Sequence, residues 1–325
     1  MARERAELVG KVIDGRYLVN RTLAVGGTGV VFDVEQLDTG DELVLKAMRP
    51  VYAQNADLQR RLRREAEISR VVRHRGIVPV VDEGVLGDGS PYIVMEKIPG
   101  ISLSRLLLRV GHLESSEAAL IGIRVASILH AAHAEGYVHR DIKPEHVVFH
   151  PGPEGQLRVW LLDFGVCAAA TAPGDERARE QGRVFGTPTY CSPEQAAGIP
   201  DVDGRADLFG LGVTLFEALT GRVPFTGRDV NDLLRRIIRC DGVRVSDVVP
   251  SVHADLDEVI ARSMARVPED RFASARAFSR ALVPLAGERL AVEGRLLERI
   301  GGGTVAQLSE DTPTIEAEAP LRVVA

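Results

Sequence analysis

Apolar and polar residues alternate along most of the first hundred positions, which is the pattern of half-buried β-strands. The predicted strands cover residues 17–23, 30–34, 43–45, 77–81 and 92–95, with turn-forming glycine and aspartate between several of them. The stretch 57–72 differs, because Leu58, Leu62, Ala66 and Ser69 recur every three or four residues among arginines. That spacing predicts one helix among the strands.

Beyond Pro99-Gly100, a candidate hinge, the pattern changes to helical periodicity. The predicted helices cover residues 116–136, 207–221, 230–239, 255–264 and 273–285. A small strand-rich lobe followed by a larger helical lobe predicts an α+β fold with a cleft where the lobes meet.

The expected domain spans residues 17–285, divided into an N-lobe over 17–98 and a C-lobe over 99–285. Residues 1–16 form an N-terminal extension. Residues 286–325 add an amphipathic helix, which Gly301-Gly302-Gly303 ends, and an acidic tail that we expect to be disordered.

Composition narrows the class of protein. The 325 residues are 45% hydrophobic and 26% charged, which is typical of a globular chain, and the net charge of −6 gives no reason to expect a nucleic-acid partner. No apolar run approaches the roughly 20 residues that span a bilayer, so no membrane association is expected. Without an apolar signal segment, and with Cys167, Cys191 and Cys240 far apart, we expect a cytoplasmic protein with free thiols.

Lysine is rare in this chain, since only four of its 40 basic residues are lysine. These are Lys11, Lys46, Lys97 and Lys143. A lysine ammonium is a compact point charge that the planar guanidinium of arginine does not reproduce, so each lysine marks a position to examine.

Two features of the first lobe could bind phosphate, and a third could support them. The run Gly26-Gly27-Thr28-Gly29 lies in a turn between strands, where backbone N–H groups could approach phosphate oxygens, although a plain hairpin turn has the same composition. Lys46 closes the next strand and could hold phosphates as a point charge, or could be a surface lysine. Glu65, on the predicted helix, could pair with Lys46, or with Arg61 in solvent. The residues alone leave these alternatives open.

The segment 138–146, Val-His-Arg-Asp-Ile-Lys-Pro-Glu-His, gives a stronger signal. Asp141, two residues before Lys143, suits a base that receives a hydroxyl proton beside a cation that steadies a departing phosphoryl group. Asp163 precedes Phe164-Gly165, and its carboxylate suits Mg²⁺. The alternative, a polar turn followed by an ordinary strand end, explains neither spacing.

With these motifs in this order, residues 17–285 resemble the bacterial Hanks-type serine/threonine protein kinases. The resemblance implies a bilobal protein kinase fold that binds ATP and Mg²⁺. It also implies transfer of the γ-phosphoryl group to serine or threonine of protein substrates, including the chain itself. Asp141 is then the catalytic base, Lys143 the lysine near the γ-phosphate, and Asp163 a metal ligand.

The same resemblance implies nucleotide-binding residues in the first lobe. Gly26, Gly27 and Gly29 cover the phosphates, while Lys46 is held by Glu65. The remaining expected nucleotide contacts are Leu23, Val31, Val44, Met95, Glu96 and Ile98.

In the second lobe, residues 186–194 resemble the end of an activation segment, and Thr187 together with Lys143 indicates serine/threonine specificity. Asp207 matches the residue that braces the catalytic loop, although it could also be a helix N-cap. Arg271 matches a buried partner of Glu194.

The chain departs from the family pattern at several positions. Ala24 replaces the first loop glycine, which costs about 1 kcal/mol if that position needs a positive φ. Lys97 stands where an aromatic residue is common, and we expect it only to adjust the rim of the pocket. The loop 166–185 contains one hydroxyl residue, Thr171, so carboxylates could supply the charge that phosphothreonine brings, or the loop is simply flexible. Those carboxylates are Asp175, Glu176 and Glu180.

His146 is the departure that bears on chemistry. The family has asparagine there, whose amide oxygen binds the second Mg²⁺ and whose side chain braces the catalytic loop. Imidazole offers a nitrogen ligand, which Mg²⁺ accepts poorly and Mn²⁺ accepts better, so Mn²⁺ is an alternative metal. The other interpretation is a neutral histidine that forms the hydrogen bond of asparagine and touches no metal.

Two other functions stay open at this stage. His146 and the hydroxyl-poor loop are compatible with a pseudokinase that binds ATP, or keeps only the fold, and acts as an interaction module. A small-molecule kinase of the aminoglycoside phosphotransferase type is disfavoured by the peptide-platform segment 186–194.

The acidic tail suggests a partner. Thr312 is followed three residues later by Ile315, a spacing that forkhead-associated domains accept when they read phosphothreonine. The alternative is a disordered end without a partner.

Overall fold

The computed structural model describes residues 6–152, 156–164, 168–169, 182–184, 186–301 and 321–322. These residues divide into two compact units, one within Met1–Arg73 and Ile77–Pro99 and the other within His74–Gly76, Gly100–Gly303 and Pro320–Ala325. The boundary falls at Pro99 and Gly100, where the sequence pattern changes from strands to helices.

The first unit is one antiparallel sheet with one helix. Its strands are β1 Val12–Ile13, β2 Tyr17–Val25, β3 Gly29–Gln36, β4 Glu42–Met48, β5 Val80–Val85 and β6 Pro91–Glu96, and helix α1 covers Ala56–Val71. The order in the sheet is β1-β2-β3-β4-β6-β5. Strand β1 lies within the expected N-terminal extension, where Ile13 is buried in the core.

Successive side chains of a strand point to opposite sides, so the sheet has two different faces. One face packs into an apolar core that includes Val30, Phe32, Leu45 and Val94. The opposite face carries the residues between them, and antiparallel register sets Val31 opposite Lys46 and Val44 opposite Met95. Four of the candidate nucleotide contacts, Val31, Val44, Lys46 and Met95, therefore lie on the face away from that core.

Helix α1 begins where Asn55 accepts hydrogen bonds from the N–H groups of Asp57 and Leu58, at 3.1 and 3.2 Å. Its buried residues are Leu62, Glu65, Ala66 and Ile68. Leu62 and Ala66 pack against Met48 and Ile93. Helix α1 thereby turns Glu65 towards strand β4.

The second unit is mainly helical. Its helices are α2 Leu103–Val110, α3 Ser115–Ala134, α4 Pro193–Ala196, α5 Arg205–Thr220, α6 Val230–Arg239, α7 Ala254–Ser263, α8 Ala275–Leu282 and α9 Arg289–Gly301. Its strands are β7 Ile101–Ser102, β8 Tyr137–Val138, β9 Val147–Pro151, β10 Leu157–Leu161, β11 Ala168–Ala169, β12 Arg183–Val184 and β13 Leu321–Arg322. They form the sheets β10-β9-β7, β11-β8 and β12-β13.

Helix α5 is the centre of this unit. Nearly all of its residues are buried, including Leu208, Phe209, Leu215 and Phe216. An apolar helix of this length that is buried on all sides belongs to a protein core. Within the described residues, no helix combines the length and the apolar character needed to cross a bilayer.

Some predicted elements differ from the observed ones. The fourth strand, expected over 77–81, runs from Val80 to Val85, because its pairing with β6 starts at Val80 and Met95. The predicted helix 273–285 is α8 followed by a 3₁₀ turn over Val283–Leu285. Helix α2 and the β9–β10 hairpin were not predicted.

Helix α9 packs onto the second unit through a buried stripe, with Val292 2%, Leu296 0% and Ile300 2% exposed. It lies against α3 and α2. Glu293 is buried in the same contact and forms ion pairs with Arg124 of α3 and, at 2.9 Å, with Arg289. The helix is thus part of the packed core of this unit.

We expect Leu296→Ala to lower the free energy of unfolding by about 2–5 kcal/mol, because the truncation leaves a cavity under α9. Leu290→Ala is the matched control, since Leu290 in the same helix is 85% exposed. That control should stay within about 0.5 kcal/mol of wild type. Chemical denaturation measures both, and equal losses in the two variants would contradict the packing of α9.

Candidate active site

Lys46 and Glu65 form an ion pair in the first unit. The Nζ atom of Lys46 lies 2.8 Å from Oε2 and 3.2 Å from Oε1 of Glu65. Glu65 is 9% exposed and lies among the buried apolar residues of its helix, so the attraction within the pair is weakly screened. The alternatives of a surface Lys46 and a solvated Glu65 are therefore wrong.

The glycine turn closes the hairpin between β2 and β3. The N–H of Gly26 donates to the carbonyl oxygen of Gly29 over 2.8 Å. A Cβ on Gly29 would come within 2.9 Å of the carbonyl oxygen of Ala47, so this position requires glycine. Ala24 lies in β2 opposite Val31 and its φ is not positive, so alanine there carries no backbone penalty.

The end of strand β6 presents the expected adenine contacts. Met95 packs against the cluster that contains Met48 and Ile93. The N–H of Glu96 donates to the carbonyl oxygen of Pro79 over 3.0 Å, so Glu96 has only its carbonyl oxygen to offer a base. Ile98 is half-buried, as are Leu23 and Val44.

In the second unit, Asp141 lies at the centre of a polar cluster. Its Oδ1 accepts a hydrogen bond from the N–H of Thr187 at 2.7 Å, and its Oδ2 lies 3.2 Å from Nζ of Lys143. Although burial opposes it, the Lys143 ammonium and the hydrogen bond from the N–H of Thr187 hold the pKa of Asp141 below its usual range. The group is therefore a carboxylate at neutral pH, and it can accept a proton.

Asp207 holds the backbone before Asp141. Its Oδ2 accepts from the N–H of His139 at 2.8 Å, and its Oδ1 from the N–H of Arg140 at 2.7 Å. His133 Nε2 lies 2.7 Å from Oδ2 of the same carboxylate. Burial opposes ionisation, but the hydrogen bond with His133 contributes to a lowered pKa of Asp207.

The N-cap alternative for Asp207 is wrong. Helix α5 begins at Arg205, with Gly204 as its N-cap residue. Asp207 therefore lies within the first turn, and its carboxylate braces the backbone at His139 and Arg140.

His146 uses its two ring nitrogens differently. Nδ1 lies 2.8 Å from the carbonyl oxygen of Asp141, so Nδ1–H donates to that oxygen as an asparagine amide could. Nε2 is buried without a hydrogen-bond partner among the described residues, and it lies 3.9 Å from Oδ2 of Asp163. Burial lowers the pKa of His146, and Lys143 adds to that effect. The imidazole is therefore neutral, with a lone pair on Nε2.

The donor set of His146 and Asp163 fits a divalent cation. Two atoms 3.9 Å apart can bind one ion at about 2.1 Å each. A nitrogen with an unused lone pair and a carboxylate oxygen are a more natural pair of ligands for Mn²⁺ than for Mg²⁺. The described residues contain no group of three or more His, Cys, Asp or Glu side chains arranged to hold a metal, so further ligands would come from substrate phosphates and water.

Gly186 and Thr187 close over the catalytic loop. Oγ1 of Thr187 accepts from Nζ of Lys143 at 2.5 Å. Gly186 has φ of 88°, and a Cβ there would come within 2.6 Å of the carbonyl oxygen of Arg140 and 3.1 Å of Oδ1 of Asp141. Only glycine lets the chain pass this close to Asp141.

Glu194 and Arg271 form a buried ion pair. The guanidinium binds both carboxylate oxygens, with Nη1 at 2.7 Å and Nη2 at 2.8 Å. The Arg271 side chain has no exposed surface and also donates to three backbone carbonyl oxygens. This pair, expected from the sequence, links the segment after Thr187 to the helical core.

Three residues of this site were not singled out from the sequence for the contacts they make. These are His133, Gly186 and Gln195. Gln195 donates its side-chain amide to the carbonyl oxygen of Arg140 at 2.8 Å, and it forms a capping box with Ser192. The Ser-x-x-Gln spacing is a signal that could have placed Gln195 at a helix start. No local signal points to His133.

Several sequence-based predictions lie outside the described residues. They concern Gly165, the free thiol of Cys167, the loop residues Thr171, Asp175, Glu176 and Glu180, and the tail residues Thr312 and Ile315.

The chain is similar to known proteins along most of its length. Residues 17–282 match the family described as protein kinase domain. The serine/threonine-protein kinase PknL of Mycobacterium tuberculosis is 34% identical over 295 residues, which cover 91% of this chain and 72% of PknL. Serine/threonine-protein kinase Pkn1 of Myxococcus xanthus is 34% identical over 309 residues, 95% of this chain but 43% of Pkn1.

A solved structure matches as well. The crystal structure of the Mycobacterium tuberculosis PknI kinase domain aligns with a TM-score of 0.65 and 31% sequence identity. The alignment covers 85% of this chain and 98% of that domain.

We expect Gly186→Ala to lower the phosphoryl-transfer rate by at least about 10-fold, because the added methyl must displace Arg140 or Asp141 by several tenths of an ångström. Gly111→Ala is the control, since Gly111 has φ of 79° with no atom within 4 Å of the added Cβ. The control should lose only about 1 kcal/mol of stability. Rate assays on both proteins, with circular dichroism as a check on folding, decide this, and a normal rate for Gly186→Ala would disprove the close approach.

Proposed function

Since the chain belongs to the protein kinase family, we propose that its first unit holds ATP and that Asp141 and Lys143 of its second unit serve the hydroxyl group that receives the phosphoryl group. The observation that carries this proposal is the ionised Asp141 carboxylate, fixed between Lys143 and the N–H of Thr187. The intact Lys46–Glu65 pair supports the nucleotide half of it.

The chain is a serine/threonine protein kinase with the bilobal α+β kinase fold. The sequence-based predictions of fold and enzyme class are confirmed. The pseudokinase alternative is not favoured, because the relatives are named serine/threonine-protein kinases. The small-molecule kinase alternative has no support from these matches.

The proposed reaction can be written bond by bond. The bond between the γ-phosphorus and the β,γ-bridging oxygen breaks, and that oxygen leaves with ADP. A bond forms between the γ-phosphorus and the serine or threonine oxygen, and the hydroxyl proton passes to the Asp141 carboxylate. Lys143, whose Nζ lies 3.2 Å from that carboxylate, places its ammonium group beside the reacting groups.

The residues of the first unit would bind the nucleotide and would take no part in the transfer of the proton or the phosphoryl group. Lys46, oriented by Glu65, would hold phosphate oxygens, and the backbone of Gly26, Gly27 and Gly29 would cover them. Val31 and Val44 share the sheet face of Lys46 and would border the base. Leu23, Met95, Glu96 and Ile98 complete the proposed nucleotide contacts.

The family generally uses ATP and Mg²⁺. We propose that Asp163 and His146 hold the metal ion, which when bound would neutralise charge on the phosphate oxygens. In this chain the Nε2 lone pair of His146 supports Mn²⁺ as an alternative to Mg²⁺.

The proposed partners are protein substrates, in keeping with the names of the relatives. ATP use, together with the free thiol of Cys240, supports a cytoplasmic location. A phosphothreonine-reading forkhead-associated partner for Thr312 stays a proposal from the sequence. Mass spectrometry after incubation with ATP tests it, and an active preparation with no phosphate on Thr312 or Thr314 removes the idea.

We expect Lys46→Ala and Asp141→Ala each to reduce phosphoryl transfer to below a few per cent of wild type without unfolding the protein, because neither residue belongs to the apolar core. Lys11→Ala is the control, since Lys11 is exposed and outside the site. Labelled ATP and a serine-containing peptide provide the assay. Substantial turnover in either site variant would show that its assigned role is wrong.

Replacing His146 by asparagine should raise the Mg²⁺-supported rate by roughly 10-fold, about 1.4 kcal/mol of transition-state stabilisation, because an amide oxygen suits Mg²⁺ better than imidazole nitrogen does. The ratio of Mn²⁺-supported to Mg²⁺-supported rates should fall at the same time. His150→Asn, on strand β9, is the control substitution.

Binding of Mn²⁺ to the ATP complex, followed by electron paramagnetic resonance, gives a second measurement on the same proteins. If His146→Asn leaves the Mg²⁺ rate, the metal ratio and the Mn²⁺ affinity unchanged, His146 binds no metal. It would then act only through its hydrogen bond to Asp141.

A further inference from the structure

Four charged side chains form a cluster at the end of strand β6, which we name the β6 charge cluster: Arg21, Asp33, Glu42 and Lys97. Nζ of Lys97 lies 3.0 Å from both carboxylate oxygens of Asp33 and 2.8 Å from Oε2 of Glu42. Nε of Arg21 lies 3.1 Å from Oδ2 of Asp33. All four residues belong to the first unit.

Asp33 is the buried carboxylate of this cluster. Its side chain is only 8% exposed, and a carboxylate so far removed from water needs cations and hydrogen bonds around it. Lys97 is 26% exposed, so it is held against Asp33 rather than extended into solvent. Although partial burial opposes it, the carboxylates of Glu42 and Asp33 raise the pKa of Lys97. The ammonium stays charged throughout the physiological pH range.

The cluster lies on the sheet face that carries the proposed nucleotide contacts. Asp33 is two residues beyond Val31 on β3, and register sets it opposite Val44. Alternate residues of a strand share a face, so Val31, Asp33 and Val44 lie on the same side. Glu42 is two residues before Val44 on β4, and shares that side.

Lys97 is the first residue after strand β6 ends at Glu96. It lies between Glu96 and Ile98, whose backbone groups are the proposed adenine contacts. Its side chain reaches back to Asp33 on β3 and Glu42 on β4. Beyond Glu96 the chain has left strand β6, and these three charge-assisted contacts hold it in place there.

We propose that Lys97 is a positioning residue for the nucleotide, which holds the segment Glu96–Ile98 in the conformation that binds adenine. This inference rests on the proposed ATP-binding function. It goes beyond the sequence-based expectation that Lys97 only adjusts the rim of the pocket, and it assigns the cluster a role in ATP affinity rather than in the chemical step.

Lys97→Met removes the ammonium and keeps a side chain of similar length. We expect the dissociation constant for ATP to rise roughly 10-fold, which corresponds to about 1.4 kcal/mol, while kcat changes less than about twofold. Lys97→Arg retains the charge and should recover most of the affinity. Glu42→Gln removes the negative charge and keeps an amide oxygen that can accept a hydrogen bond from Lys97. Because Glu42 is 71% exposed, this variant should fold normally. It should weaken ATP binding by about 2-fold to 3-fold.

Arg21→Met is the matched control. Arg21 also binds Asp33, but it does so from strand β2 rather than from the segment Glu96–Ile98. If the cluster were merely structural, Arg21→Met and Lys97→Met would affect ATP binding equally. If Lys97 positions the adenine segment, only Lys97→Met lowers the affinity, even where both variants lower the melting temperature.

The experiment is isothermal titration of the full chain with ATP, together with steady-state kinetics and thermal melting for each variant. Weaker ATP binding by Lys97→Met and Glu42→Gln, but not by Arg21→Met, is the expected result. Equal affinities in wild type and Lys97→Met, or equal losses in Lys97→Met and Arg21→Met, would overturn the inference alone. A wild-type protein that binds no ATP would overturn the proposed function, and the inference with it.

Discussion

A carboxylate buried inside the second unit, that of Asp207, takes up both backbone N–H groups of the turn at His139 and Arg140. Arg140 has φ of 66°, a conformation that costs an ordinary residue about 1 kcal/mol or more. The turn persists because Asp207 is fixed on helix α5, which is buried nearly all round. Without the turn, Asp141 would not meet Thr187 and Lys143, and His146 would lose the carbonyl oxygen that orients its ring.

The elements that follow a clear period were predictable. Helix α6 occupies the expected residues, and α1, α3, α5 and α7 agree within two residues at each end, since buried apolar positions determine them. Strand β5 was misplaced because it contains Asp82, Glu83 and Gly84, and its position is decided by pairing with β6 rather than by its own apolar content. Helix α2 has eight residues, fewer than local periodicity resolves well.

The residues of the candidate site also separate into those that the sequence predicts and those that it does not. Asp141, Lys143 and Asp163 stand in compact motifs, so their chemistry could be predicted from spacing. The partners that orient them come from distant parts of the chain: His133 is 74 residues from Asp207, and Gln195 is 55 residues from Arg140. The contacts of Lys97 show most clearly what the sequence could not predict. Its carboxylate partners lie 64 and 55 residues away, and only the register of the sheet brings them to it.

The scarcity of lysine has a consequence for chemical labelling. Lys46, Lys97 and Lys143 each have a carboxylate within 3.2 Å, whereas Lys11 is exposed. A side chain that is held in an ion pair and partly enclosed is less accessible to an acylating reagent than one that extends into solvent. Apart from the N-terminal amine, the folded protein therefore offers one readily reactive amine, at Lys11. A dye or a surface tether introduced there would leave all three paired amines chemically unmodified.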